Sequence, residues 1–298
     1  MKLNHVPRNQ RRVRQWIRAR KGCRGFTIHK GRTLLPYQKG KVINLLSLYS
    51  SNGKLGGELQ TWHLSATMHP TEARRGGAGD GCICGTCPFR AQPGDKLGAC
   101  YPDGRGIASL WASVGRGNYP AIEELARDVR LSVPDTLRIL GTFGGGVRLG
   151  AYGDPAAMPV AIGQALTGSA NTRQGFTHAW RALGASPWRG LVMASCELPG
   201  HVRQAEAAGW RTYTVYPPEL SEREARQAIA NASGRLVVAH CPASERKNYA
   251  VTCETCPIQC DGLREGSPWQ VINAAHGNPA AMARYHALGH LEKWRAHL

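Results

Sequence analysis

"GLVMASCELPGHVRQAEAAGWRTYTVYPPELSEREARQAIANASGRLVVAHCP" occupies residues 190–242 and alternates between two patterns. The short runs at 190–198, 211–218 and 234–242 are rich in Val, Thr, Tyr and Leu and bounded by Gly or Pro, which reads as buried strands. Between them, 199–209 opens with Pro199 in its first turn, and 221–233 opens with Ser221 followed three residues later by Glu224, a capping box. Strand alternating with helix at this spacing predicts an α/β fold with a mainly parallel sheet, either an open layer or a partial β/α barrel.

Upstream, "GVRLGAYGD" (146–154) and "RQGFTHAW" (173–180) supply two further strands with a helix at 159–166 between them. Residues 59–67 read as a strand, 42–50 as a short apolar element, and 108–114 and 120–130 as helices. Residues 71–105 are rich in Gly, Pro and Cys and predict a loop held by something other than an apolar core. The tail from 273 reads as an exposed amphipathic end helix after a Gly-Asn-Pro break, with His286 and His290 spaced for one face. The domain expectation is a basic N-terminal arm (1–45), an α/β metal-binding domain (46–272) and a C-terminal helix (273–298).

In parallel sheets ligands gather beyond the carboxyl ends of the strands. Asp154, His178, Glu197 and Cys241 each end a predicted strand, so they should share one rim. Asp154, His178 and Glu197 are the candidate catalytic residues.

A chain of 298 residues buries an ample core without staples, so its 10 cysteines are not needed for size. No apolar run is long enough to span a bilayer and no apolar export segment follows the basic start, so the expected location is the cytoplasm, that of the host cell if the protein is phage-encoded. Thiols in that compartment serve as metal ligands or stay free. Cys82, Cys84, Cys87 and Cys100 form one group of four; Cys241, Cys253, Cys256 and Cys260 form another. Four thiolates brought together by tight turns suit a tetrahedral zinc or an iron–sulfur cluster, at one site or both. Pro after Cys87, Cys241 and Cys256 inclines toward iron, and the Cys253 to Cys260 loop is expected to fold back over the rim. Cys23 and Cys196 read as ordinary thiols, Cys196 buried.

The net charge of +18 is concentrated: the first 57 residues hold 14 Lys or Arg and no acid, leaving 24 basic and 20 acidic residues in the rest. Arg11, Arg12, Arg14, Trp16, Arg18, Arg20 and Lys21 combine cations with one aromatic, a composition suited to nucleic acid, DNA or RNA, on an arm disordered until it meets its polyanion. No membrane partner is expected. The sequence holds no Walker loop, no G-x-S-x-G elbow and no His-hydrophobe-His metal pair.

With "NGKLGG" (52–57), "CYPDGRG" (100–106), "VRLGAYGDP" (147–155), "GFTHAW" (175–180) and "CPAS…TCETCPIQC" (241–260), the chain resembles cysteine-rich phage proteins of the gene-product-88-like family over about residues 45 to 262. That resemblance implies a mobile-element origin and a metal site. A remoter likeness is to radical S-adenosylmethionine enzymes, in which a cysteine loop follows the first strand and a Gly-Glu-Pro-like segment ends the next: here Cys82 to Cys87 follow the 59–67 strand, and "YGDP" (152–155) ends a later one. The chain departs from that pattern with C-x-C-x2-C in place of C-x3-C-x2-C. The likeness implies an iron–sulfur cluster and S-adenosylmethionine as cofactors. Three functions follow: a metalloprotein acting on nucleic acid in replication or modification, an iron–sulfur enzyme, or a zinc-stabilised module without catalysis.

Overall fold

The computed structural model describes residues 8–50, 52–75, 79–91, 95, 98–100, 104–234, 238–243, 251–262 and 270–298, with the backbone alone at 104 and 105. Parts of "CYPDGRG" (101–103), of the predicted strand at 234–242 (235–237) and of the segment after Cys241 (244–250) lie outside the described residues.

The strands are β1 (Gly25–Arg32), β2 (Lys41–Ser47), β3 (Leu59–Ser65), β4 (Gly146–Tyr152), β5 (Thr172–Thr177), β6 (Met193–Cys196), β7 (Thr212–Tyr216), β8 (Val238–His240) and β9 (Gln270–Ala274). The helices are α1 (Arg8–Ala19), α2 (Pro70–Ala73), α3 (Gly81–Cys84), α4 (Gly104–Gly115), α5 (Ile122–Asp128), α6 (Val133–Gly141), α7 (Val160–Thr167), α8 (Trp180–Leu183), α9 (Pro199–Ala207), α10 (Glu222–Ser233), α11 (Pro279–Ala287) and α12 (His290–Arg295). The sheet order is β1-β2-β3-β4-β5-β6-β7-β9-β8, antiparallel from β1 to β3 and parallel from β3 onward. The architecture is α/β with a mostly parallel sheet.

Because β3 to β7 follow one another in space as in sequence, right-handed crossovers all fall on the same face. On β4, Val147 and Leu149 point to that face and join the main apolar core with Leu140 of α6, Leu166 of α7 and Val202 of α9. Arg148, Gly150 and Tyr152, the alternate set, point to the other face, as the two-residue period of a strand requires. That second face carries the cysteine loops. The sequence signals act locally as expected: α10 has the full Ser221–Glu224 capping box and ends at Gly234 with φ 72°, and α6 starts at Ser132, whose hydroxyl caps Asp135 N.

The basic start is not a separate arm. α1 inserts Val13 into the main core and packs Trp16 and Ile17 against it, while β1 and β2 extend the sheet, so a boundary at residue 45 would cut through β2. Three apolar side chains on one stripe of an otherwise cationic helix are enough to dock it. The C-terminal segment differs likewise: residue 273 lies in β9, and Trp294 of α12 is fully buried, donating from Nε1 to Glu197 O at 2.9 Å. His286 and His290 fall on separate helices; His286 Nδ1 pairs with Glu219 Oε1 at 2.9 Å and His290 is buried. Among the described residues no helix is long and apolar enough to cross a membrane.

Candidate functional site

The parallel strands deliver their terminal residues to one edge, and three of the candidate residues meet there. Asp154 follows β4; its Oδ1 accepts from Ala156 N at 3.0 Å, and its Oδ2 accepts from the Thr177 hydroxyl and from His178 N, both at 2.9 Å. It thereby ties the ends of β4 and β5 together, and burial raises its carboxyl despite these three bonds. His178 Nε2 lies 2.8 Å from Glu197 Oε1 and 3.8 Å from Cys87 Sγ. Burial alone would lower the His178 imidazole, but the Cys87 sulfur and the Glu197 carboxylate outweigh it and raise it well above its ordinary value. Glu197 is buried and would be raised by desolvation; His178 and His201 reverse this and hold it at about 2. His201 Nδ1 stands 2.9 Å from Glu197 Oε2, one helical turn along. That Glu-x3-His spacing, residues 197 and 201, is visible in the sequence and was the signal that could have added His201 to the candidates. Tyr285 of α11 also borders this region, and its buried hydroxyl has no hydrogen-bond partner among the described residues.

The first cysteine group divides. α3 is a single turn in which Cys82 and Cys84 are two residues apart and so point to opposite sides. Cys82 turns into the apolar cluster under β2 and β3, its Sγ 3.4 Å from Gly79 O. Cys84, Cys87 and Cys100 face the cavity side. The loop is braced by Arg90, whose Nε meets Asp80 Oδ1 at 3.0 Å and whose Nη1 donates to Gly85 O at 3.0 Å. Cys100 is pushed up to about 12 by burial and by the neighbouring Cys87, and Cys84 is raised well above its ordinary value by burial and by the charges of Asp80, Cys87 and Cys100.

In the second group Cys241 directly follows the carboxyl end of β8, while the segment from Cys253 to Cys260 is anchored elsewhere than the carboxyl edge. Cys253 N donates to Lys54 O at 2.8 Å, and Gly57 N donates to Glu254 Oε2 at 2.9 Å. The Glu254 carboxylate fills the space that a Cβ would need at Gly56 and at Gly145, both of which have positive φ. Cys260 O accepts from Gly175 N at 3.1 Å, and Arg211 at the start of β7 donates to Gln259 O at 3.2 Å and to Asp261 Oδ1 at 2.6 Å. The loop therefore lies across β3 to β7 instead of folding over the carboxyl rim, because most of its polar anchors, Lys54, Gly57 and Arg211, stand before strand starts and Gly175 lies within β5. Cys241, Cys253, Cys256 and Cys260 together ring a pocket of about 20 Å³. Burial raises Cys260 well above its ordinary value, and the charges of the other three add to it.

A cavity of about 230 Å³ separates the two groups. Cys84, Cys87 and Cys100 line it on one side and Cys241, Cys253 and Cys260 on another, with Arg148, Gln174, Phe176 and Tyr213 from the strands between them. All ten cysteines are free thiols. As placed, no three His, Cys, Asp or Glu side chains among the described residues stand close enough to hold one metal ion. The donor chemistry nevertheless fits a cation: buried thiols that repel one another as thiolates are relieved by a metal that binds them deprotonated.

The candidate nucleic-acid residues lie on or just after α1. Trp16 Nε1 donates to Asp128 Oδ2 at 2.9 Å, its ring is 5.8 Å from that of Phe26, and the Arg20 guanidinium covers it at 4.0 Å. Arg20 also pairs with Glu124 at 2.5 Å, and Arg14 lies over the Phe143 ring at 4.2 Å. Trp16 and Arg20 thus hold α1 to α5, while Arg11, Arg18 and Lys21 are exposed and Arg12 half-buried. No protein-family model, curated protein or solved structure matches the chain.

Proposed function

We propose that this protein is a thiolate-metal enzyme of the iron–sulfur kind that acts on nucleic acid, with a reactive centre at Cys84, Cys87 and Cys100 and a structural centre at Cys241, Cys253, Cys256 and Cys260. The observation that carries this reading is that the two groups, remote in sequence, border one cavity beside His178 and Glu197. A cluster held by Cys84, Cys87 and Cys100 would have one open position for S-adenosylmethionine or substrate, whereas four ligands around a pocket of about 20 Å³ suit a closed site for a single ion such as zinc. Asp154 positions His178 through its backbone, and the His178–Glu197–His201 chain offers proton storage beside the open position. The likeness to cysteine-rich phage proteins and the cations of the first 57 residues favour replication or nucleic-acid modification as the setting.

Anaerobic purification with metal and sulfide analysis tests this. A brown protein whose colour is lost in Cys84→Ala, Cys87→Ala and Cys100→Ala but kept in Cys82→Ala is the expected result. A colourless protein holding zinc alone would reject the iron–sulfur reading in favour of a non-catalytic zinc-stabilised binding module.

A further inference from the structure

The eight residues joining β1 to β2, "TLLPYQKG" (33–40), form a hairpin tip at the carboxyl edge of the parallel strands, since Val42 near the start of β2 pairs with Ser65 at the end of β3 and Ala66 N donates to Lys41 O at 2.8 Å. The tip is anchored from within. Leu35 is buried, Thr33 N donates to Gly40 O at 3.0 Å, and Leu34 N donates to Ala157 O at 3.3 Å. It lies against α3: a Cβ at Gly40 would come within 2.8 Å of Cys82 Cβ. The cavity-lining Cys84 is on the same turn.

Two choices of residue on this rigid tip work against stability. Gln38 N donates to Leu35 O at 3.2 Å, closing a turn with Pro36 second and Tyr37 third, and Tyr37 has φ 62°. This is the type II pattern, whose third position asks for Gly or Asn. An aromatic stands there instead, 91% exposed, gaining no packing for the strain. Beside it Arg32 and Lys41 are directly opposite one another across the strand pair, a like-charge contact that disfavours the hairpin. Lys39 on the tip and Lys30 on the adjoining β1 are exposed, and the first 57 residues supply no acid to offset them.

We propose that this tip is a docking site for single-stranded nucleic acid, Tyr37 stacking on an unpaired base while Lys30, Arg32, Lys39 and Lys41 meet phosphates. An anion relieves the Arg32–Lys41 repulsion, and an exposed aromatic among cations is the platform that single strands use. Two exposed apolar side chains, Leu34 and Tyr37, offer little area for burial in a bilayer, which favours the polynucleotide over a membrane surface. The inference rests on the nucleic-acid reading above and moves the contact from α1 to the hairpin.

The test uses the full chain and fluorescein-labelled dT and rU 20-mers, with anisotropy read over a range of salt. Tyr37→Gly suits the turn better than Tyr, so it should fold with equal or higher thermal stability yet bind about 5- to 150-fold more weakly, the loss of one stacked base. Tyr37→Trp should retain affinity. Lys39→Gln with Lys41→Gln should flatten the slope of log affinity against log salt by about 1.4, at about 0.7 per phosphate contact for single strands. If the wild type binds and the hairpin variants bind alike, with Arg11→Gln and Arg18→Gln carrying the loss, the hairpin proposal is overturned and the nucleic-acid reading stands. Absence of binding to either 20-mer, or binding to anionic vesicles in its place, overturns both.

Discussion

Replacing Arg211 by Met should release the second cysteine loop from the sheet. The side chain is 5% exposed; its Nη1 pairs with Asp261 Oδ1 at 2.6 Å, and the guanidinium donates to the carbonyls of Gln259 at 3.2 Å, Asp261 at 3.0 Å and Gly262 at 3.3 Å. Asp261 is 3% exposed, and Arg173 reaches its other oxygen at only 3.5 Å. Met matches the aliphatic stem of Arg but leaves that carboxylate buried with Arg173 as its one distant ion-pair partner among the described residues. Removing one member of a buried pair costs about 3 to 5 kcal/mol because the remaining charge is uncompensated. Arg173 and rehydration of the loop bring the expectation for Arg211→Met to about 3 kcal/mol. Urea unfolding measures the loss, and the rate of thiol labelling at Cys256 and Cys260 in the native state reports whether the loop opens. Asp261→Asn in the same chain removes the stranded charge and should recover part of the loss, appearing as a coupling energy in a double-mutant cycle. A loss under about 1 kcal/mol with unchanged thiol protection would refute the claim that Arg211 clamps this loop.

Three further outcomes follow from other contacts. His63 is fully buried, its Nδ1 2.7 Å from Asn44 Oδ1, and burial lowers it to about 3. Between about 6.5 and 3 the unfolded chain binds a proton at this position that the folded chain does not, so stability should fall with decreasing pH by about 1.4 kcal/mol per unit; His63→Gln should flatten that slope in urea titrations at pH 7, 6 and 5. Gly145→Ala places a methyl group where the Glu254 carboxylate sits, at φ 71°; calorimetry should show a lower Tm, and the effect should shrink in an Glu254→Ala background. Trp16→Ala removes the Asp128 hydrogen bond and the stacking with Arg20 and should lower stability by about 2 kcal/mol while leaving oligonucleotide affinity at the wild-type value, since Trp16 faces α5 and Phe26. An equal loss of binding would return α1 to the nucleic-acid interface.

The region from residue 146 to 240 was legible because its strands and helices are short, regular and separated by strong punctuation: Pro199, the Ser221–Glu224 box and Gly234 act within a few residues of themselves. β1 was not, because "GFTIHKGR" mixes cations with apolar residues and gains its strand character from pairing with β2. α6 was missed although Ser132 and Pro134 marked its start. The gathering of Asp154, His178 and Glu197 followed from their positions at strand ends, but His201 needed the helix that returns it to Glu197.

The sequence by itself determined the α/β class, the number of thiols and where the positive charge lies, since each depends on residue type and short-range spacing. Only the tertiary structure decided what those residues face. Cys82 and Cys84 lie on opposite sides of one turn, which leaves three thiols of the first group toward the cavity. Sequential strand order sends α6, α7, α9 and α10 to one face and leaves the other to two cysteine loops, one near the carboxyl ends of the strands and one anchored mostly at their starts. Spacing counts ligands; the side of the sheet on which they meet is set by crossover handedness and by contacts between residues as far apart as Gly57 and Glu254.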